Sequence, residues 1–396
     1  LQGAAIALAC VVGVDALTNA IAPSAQFDSL FYVDMAENGV WGNPHLAAPF
    51  AFRPLVPLAV HWIAATGVDV ETAFYWLARA SAVALVFSVW ALAFSVARQP
   101  VPAAAATLLA ALQFHVLKMP LFWHTLVDVE ACLVMVWSIH ALMLGRRRTS
   151  LALACVGLLM KEFLLIPALF ALAARARGKP RASRRELLVG SLAVLAAIAV
   201  PRLAIPVVKS YQEVDPFHSA HWLRDLAAAL GPGRWLRVGF SIVGFGLPAW
   251  ILVSSARIAR LERLGRGRLA LGAGYVGGVA LFSLLGGSDM ARFSAYLLPL
   301  LAIVLAVFLA DGPDQSSGGA RWIEIAIALC ATVVFNRLWI EIPDPATQLV
   351  GFAEAFCGHG ECGGPRLAAR CLELAALIGA GSTLATLARR RGMPSS

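Results

Sequence analysis

Apolar runs long enough to cross a bilayer recur along almost the whole chain. They lie at roughly residues 3–21, 72–97, 101–117, 128–144, 151–174, 186–208, 234–255, 269–286, 293–311, 322–340 and 368–389. A helix needs about 20 apolar residues to span the hydrocarbon core, and most of these runs reach that length. Only helices and closed barrels satisfy every backbone N–H and C=O inside lipid, and the period-two alternation of barrel strands is absent. Composition agrees: 60% of the 396 residues are hydrophobic and 14% charged, against about 45–50% and about 25% in soluble domains. Disordered chains and small disulfide scaffolds are excluded by the same figures. The expectation is an all-α polytopic membrane protein, one transmembrane domain over residues 1–396 with about 10–12 transmembrane helices.

Two runs depart from this pattern. Residues 54–67 begin with Pro54 and Pro57 and are too short to cross. The run 151–174 is interrupted by Lys161-Glu162 and Pro167 and has basic clusters on both flanks, which reads as a short broken hairpin entering and leaving from one side. With the N-terminus inside, nineteen Lys/Arg and four acids fall on the cytoplasmic side, among them Arg146–Arg148, the run from Arg175 to Arg185 and Arg389–Arg391. Eleven Lys/Arg and sixteen acids fall outside. That is the positive-inside asymmetry. If 54–67 spanned instead, Arg146–Arg148 and the 175–185 run would be thrown outside. The net charge of +9 is therefore a topology signal, and the basic loops suit anionic lipid headgroups rather than nucleic acid.

The outer segments on this scheme are 22–70, 118–128, 209–233 and 341–367. No charged stretch precedes the first apolar run, which reads as a retained membrane helix rather than a cleaved signal peptide. High Ala, Leu and Arg usage fits a bacterial chain. The expected location is the cytoplasmic (inner) membrane, with the polar site on the extracytoplasmic side.

Long soluble insertions are absent, so any chemistry must be built from outer loops and helix ends. In the first outer segment Asp28, Phe31/Tyr32 and Met35/Ala36 fit one amphipathic helix lying in the membrane surface after the first membrane helix. Asp28 falls near its N-terminus, where the helix dipole favours a carboxylate. Asp34 and Glu37 are additional acids, and Arg53 precedes the Pro-bracketed piece. In the second segment His124 and Asp128 are four apart, so a helix would set them on one face. A capping Asp beside an interfacial His is the plainer reading. Glu130 opens the next membrane helix, where an acid is expensive and tends to be functional. Lys161 and Glu162 are adjacent charges between apolar flanks, which should pair or face a wet cavity. Residues 286–302 supply Asp289 and Arg292, with Tyr296 one turn on; Lys209, Tyr211, Arg202 and Arg337 add further polar groups. Cations grouped around acids at one membrane face suit a phosphate-bearing lipid substrate and an acid–base step.

Other motifs carry less. LGAGYVGG (271–278) contains GxGxxG inside a membrane run with no strand before it, so small-residue helix packing through Gly274 and Gly278 explains it better. His218 and His221 lack the Glu of a zincin, and neither a P-loop nor a GxSxG elbow is present. The short basic cytoplasmic loops leave no room for a nucleotide-binding domain. Cys357 and Cys362 lie in an outer loop and suit a small disulfide; a zinc site with His359 is the rival, short of a third cysteine. The other five cysteines sit in apolar runs and act as small hydrophobes.

The first outer segment, FDSLFYVDMAENG followed by FAFRPLVPLAV, resembles the loop of PIG-V-like and related GT-C glycosyltransferases. GLLMKEFLLIPAL resembles their Leu-rich Lys-Glu hairpin, and WHTLVDVEACL the segment before their fourth membrane helix. GGSDMARFSAYLLPLLA is similar to a later Asp-x-x-Arg-Tyr segment. The resemblance covers roughly residues 20–300 in order. Asp34 departs from a usually apolar position, and Arg53 stands where PIG-V-like enzymes favour an aromatic.

That resemblance implies inverting transfer of a sugar, of a kind similar to mannosyl transfer, from a polyprenyl-phosphate donor on the outer face to an acceptor. The expected catalytic base is Asp28. Arg53, Lys161 and Arg292 are then phosphate contacts. His124, Asp128, Glu162, Lys209, Tyr211 and Asp289 serve substrate binding. The acids of this face would suit a divalent cation, Mg or Mn, with no ligand set readable. The expected partners are membrane lipids and the polyprenyl-phosphate lipid. A transporter or lipid flippase is the rival reading; it predicts inverted repeats and broken helices paired across two halves, and the sequence offers one broken hairpin.

Overall fold

A computed structural model describes residues 1–18, 28–41, 43, 45–177, 183–205, 209–210, 230–285, 290–310, 318–343, 351 and 362–391. In chain order the elements are α1 (Gln2–Ala16), α2 (Asp28–Asn38), β1 (Ala47–Ala48), α3 (Leu55–Ala64), α4 (Val70–Ala97), α5 (Pro100–Ala111), α6 (Met119–Phe122), α7 (Asp128–Met143), α8 (Arg147–Leu158), α9 (Leu165–Arg177) and α10 (Arg184–Ala204). After β2 (Lys209–Ser210) come α11 (Pro232–Phe245), α12 (Leu247–Leu252), α13 (Ser255–Glu262), α14 (Arg266–Leu285), α15 (Met290–Phe293), α16 (Leu298–Leu309), α17 (Gly318–Asn336) and α18 (Gly364–Arg391).

The distribution of side chains is that of a polytopic membrane protein. Only 17% of the apolar window of α10 is buried, and 22% of those of α14 and α18. Leu188, Leu192, Leu195 and Leu203 are exposed, while Ser88, Thr107, Asp128, Lys161 and Thr332 are buried. In water that arrangement would forfeit the main driving force of folding; in lipid it leaves apolar surface where the solvent is apolar.

Among the described residues, six helices are long and apolar enough to cross a membrane, or up to seven if a bent pair counts as one span. The remaining apolar runs fold as shorter or broken helices. α1 has 15 residues, about 22 Å of helix against a core of about 30 Å. The run at 101–117 bends by 75° between α5 and Phe114–Phe122, where Gln113 turns extended and residues Phe114–Lys118 form a π-turn. The freed Phe114 N–H donates to Asn336 Oδ1 at 2.9 Å. The run at 234–255 divides at Gly246, and Pro248 in the first turn of α12 suits a helix start rather than an interior. The piece at 54–67 contains α3, whose 10 residues are far too few to span.

The chain divides into two compact units, residues 1–20, 86–119 and 232–396 in the first and residues 21–85 and 120–231 in the second. In the first unit a buried carboxylate, Glu324 of α17, joins three helices. It pairs with Arg257 of α13 and, at 3.0 Å, with Arg389 of α18. Cys362, at the entry to α18, is disulfide-bonded. The five cysteines other than the 357/362 pair are free; Cys357 lies outside the described residues.

In the second unit, α2 buries Ser29, Tyr32, Val33 and Ala36, an i, i+3, i+4, i+7 stripe, and packs on α3. The His61 ring Nδ1 lies 2.6 Å from the Ala36 carbonyl. β1 and β2 pair in parallel, Ala47 with Lys209 and Ala48 with Ser210. The run at 151–174 is broken at its middle: α8 stops at Leu158, Lys161 is extended, a 3₁₀ turn covers Glu162–Leu164, and α9 follows with Pro167 in its first turn. Gly157 of α8 packs against Leu164 of that turn and against Val134 of α7. A methyl group there would sit 2.4 Å from Leu164 Cγ and 3.0 Å from Val134 Cγ1. Gly157→Ala is therefore expected to lower stability by about 1–3 kcal/mol through overpacking. A reduced melting temperature of the detergent-solubilised protein checks this, and an unchanged one would refute the close approach.

Candidate functional site

In the second unit the sequence-selected charges converge on the break in the hairpin. The break itself brings them there: a helix running on past Leu158 would place Lys161 and Glu162 on a regular surface, whereas the extended Lys161 sends consecutive charges to different partners. Lys161 Nζ lies 3.1 Å from Asp128 Oδ1, with both side chains almost wholly buried. Arg53 Nε donates to both Glu162 carboxylate oxygens at 3.1 Å, and its Nη2 lies 2.9 Å from Oε2. Arg53 Nη1 donates to the Tyr32 hydroxyl at 3.1 Å. The fork geometry of a guanidinium permits this double engagement, which an ammonium group would not give.

The frame around these contacts is aromatic and tight. Phe31 stacks on Phe50 with ring centroids 4.8 Å apart, and Tyr32 meets Phe50 edge-on at 5.7 Å. The Leu55 N–H donates to the Leu159 carbonyl at 3.3 Å, tying the start of α3 to the hairpin break. Arg202 lies over the Phe52 ring at 4.9 Å, and Lys209 is held in backbone register with Ala47. Asp28 is the first residue of α2, half-buried, one turn before Tyr32. Burial pushes the Tyr32 phenol up; the Arg53 charge opposes this, while the Asp28 and Asp128 carboxylates add to it. Tyr32 is thus a protonated phenol whose oxygen accepts from Arg53. Tyr32→Phe is expected to cost about 1–3 kcal/mol, because a buried guanidinium N–H loses its acceptor; an unchanged melting temperature would contradict that contact.

The remaining selected residues separate. Asp34 accepts hydrogen bonds from Asn38 Nδ2 at 2.8 Å and Asn43 Nδ2 at 2.7 Å, which closes the loop after α2. Glu37 is exposed. His124 and Asp128 do not share a helix face, contrary to their i, i+4 spacing. His124 lies in a turn after α6, and α7 begins only at Asp128, so the helical register needed to align them is missing. The His124 ring meets Tyr75 edge-on at 5.7 Å, and Arg79 lies over Tyr75. Burial and then the Arg79 charge push the imidazole down, and a backbone hydrogen bond at Phe122 opposes them, leaving it neutral at pH 7. Arg292 belongs to the first unit, where it is buried with its guanidinium 5.5 Å from the Phe293 ring centroid. Tyr211 and Asp289 lie outside the described residues, and so does the side chain of Lys209.

Two features escaped the sequence. Tyr32 counted only as part of an apolar face, although a tyrosine in a buried stripe needs a partner for its hydroxyl. The pairing order was also unreadable: Lys161 and Glu162 hold Asp128 and Arg53, not each other. Among the described residues no group of three or more His, Cys, Asp or Glu could hold a metal ion. No family model matches the chain, and no curated protein or solved structure matches it either.

Proposed function

We propose that the chain is a membrane glycosyltransferase of the GT-C type, passing a sugar with inversion from a polyprenyl-phosphate donor to a lipid, glycan or protein acceptor at the extracytoplasmic face. The observation that carries this reading is the half-buried Asp28 carboxylate at the start of α2, one turn from a Tyr32–Arg53–Glu162 chain that pins that helix to the hairpin break. Rigid support of this kind is what a proton-accepting group needs to hold a fixed position beside its substrate.

In the reaction, the Asp28 carboxylate accepts the proton of the acceptor hydroxyl as that oxygen attacks the anomeric carbon. The bond from the anomeric carbon to the phosphate oxygen breaks, and the lipid phosphate leaves with the bonding electrons. Arg53 and Lys161 already neutralise Glu162 and Asp128, so they act here as positioning groups. Arg202, over the Phe52 ring, is the cation disposed to meet the departing phosphate. The described acids form no metal-binding set, and no step uses one.

The test is direct. Purified protein in proteoliposomes, given a radiolabelled polyprenyl-phosphate sugar and lipid, glycan or peptide acceptors, is expected to form a glycoside of inverted configuration. Absence of product with every sugar and acceptor class would overturn the proposal. A specific feature favours the rival reading: apolar segments are broken in both units, at Lys161-Glu162 and at Gln113, as in many secondary transporters. Substrate flux through the same vesicles without a glycosidic product would establish that rival.

A further inference from the structure

A second site lies away from the Asp28 cluster, in the groove where α10 meets α8 and α9. The groove encloses about 480 Å³. Its polar rim carries three cations, Arg148, Arg175 and Arg185, and one acid, Glu186. Glu186 is already satisfied. Arg148 and Arg175 both pair with it, the latter at 3.5 Å, and its carboxylate also closes a capping box with Ser183. The rim thus keeps an excess of two positive charges. Arg185 is exposed, and Arg148 is 81% exposed even while it touches Glu186. The floor is apolar, formed by residues such as Leu151, Cys155 and Val189. Val189, itself more than half exposed, opens the groove onto the lipid-facing side of α10, where the exposed Leu192 lies one turn on.

We infer that this groove is a binding site for an anionic membrane phospholipid, its phosphate seated between Arg148 and Arg185 and its acyl chain laid along α10. A guanidinium pair matches phosphate geometry, and a basic pocket opening onto lipid-facing helix surface fits an anionic headgroup with its chain attached. Neither feature alone would choose the ligand: a free phosphate would leave the apolar strip unused, and a zwitterionic lipid would leave the charge excess unmatched. The site is independent of the proposed sugar transfer.

Cys155, a free and half-buried thiol in the groove, reports its occupancy. In nanodiscs the rate of Cys155 modification by N-ethylmaleimide, followed by peptide mass spectrometry, is expected to fall about fivefold or more when phosphatidylcholine is replaced by phosphatidylglycerol of the same chains. Cys330, exposed on α17, serves as the internal reference for general shielding. Inorganic phosphate in phosphatidylcholine discs is expected to leave the Cys155:Cys330 ratio unchanged. The double variant Arg148→Gln/Arg185→Gln, which leaves Arg175 to hold Glu186, is expected to lose the lipid preference. Equal rates in both lipids, protection by inorganic phosphate alone, or protection that survives the double substitution would each overturn the inference.

Discussion

Asp28→Asn is expected to lower sugar transfer by about 10²–10⁴-fold while leaving expression and melting temperature close to those of the wild type. Asparagine keeps the size and planarity of the side chain and is tolerated at helix starts, so α2 should still begin where it does. What it cannot do is take up the acceptor proton. The neighbouring acids supply controls within one segment. Asp34 accepts from the exposed Asn38 and the buried Asn43, so Asp34→Ala should cost about 0.5–1.5 kcal/mol of stability by removing one acceptor of the Asn43 amide. Exposed Glu37 should tolerate alanine within about 0.5 kcal/mol. Transfer by Asp28→Asn within threefold of wild type would remove Asp28 from the mechanism, as would a loss explained by reduced folding.

The sequence carried the membrane class, the hairpin break and the helix opening at Asp28, because each rests on a local signal. Hydropathy marks apolar runs; two charges and a proline in a short run force a break; the spacing of Phe31/Tyr32 and Met35/Ala36 marks a helix face, of which Tyr32, Met35 and Ala36 are buried. The pairing pattern at the break was not legible, since it depends on which way one residue, Lys161, turns its backbone. An unbroken helix would have sent the same side chains elsewhere. The His124–Asp128 spacing failed for the converse reason. Four residues mean one face only if a helix runs through them, and the turn at 123–127 interposes. Spacing alone also made Arg53 and Lys161 look like phosphate contacts; that each is matched by a carboxylate 109 and 33 residues away in the chain needs tertiary structure.

Lys161 and Asp128 give the sharpest energetic test of that structure. Both are almost wholly buried, with the ammonium 3.1 Å from the carboxylate. Lys161→Met should destabilise the protein by about 3–5 kcal/mol, because it strands a buried carboxylate rather than because the pair itself is strongly stabilising. Asp128→Leu should do likewise by stranding the ammonium. Removing both charges at once, Lys161→Met/Asp128→Leu, should recover most of the loss, since apolar groups of similar volume avoid the desolvation cost altogether. The double-mutant cycle is read by thermal unfolding in detergent. Strictly additive losses would show that the two groups do not act as a pair, and single losses below about 1 kcal/mol would show that they are not buried. The same three variants bear on the chemistry. If the double variant regains stability together with transfer, Lys161 only positions the hairpin break. If it regains stability but stays inactive, at least one of the two charges takes part in transfer itself, and Lys161 is more than a positioning group.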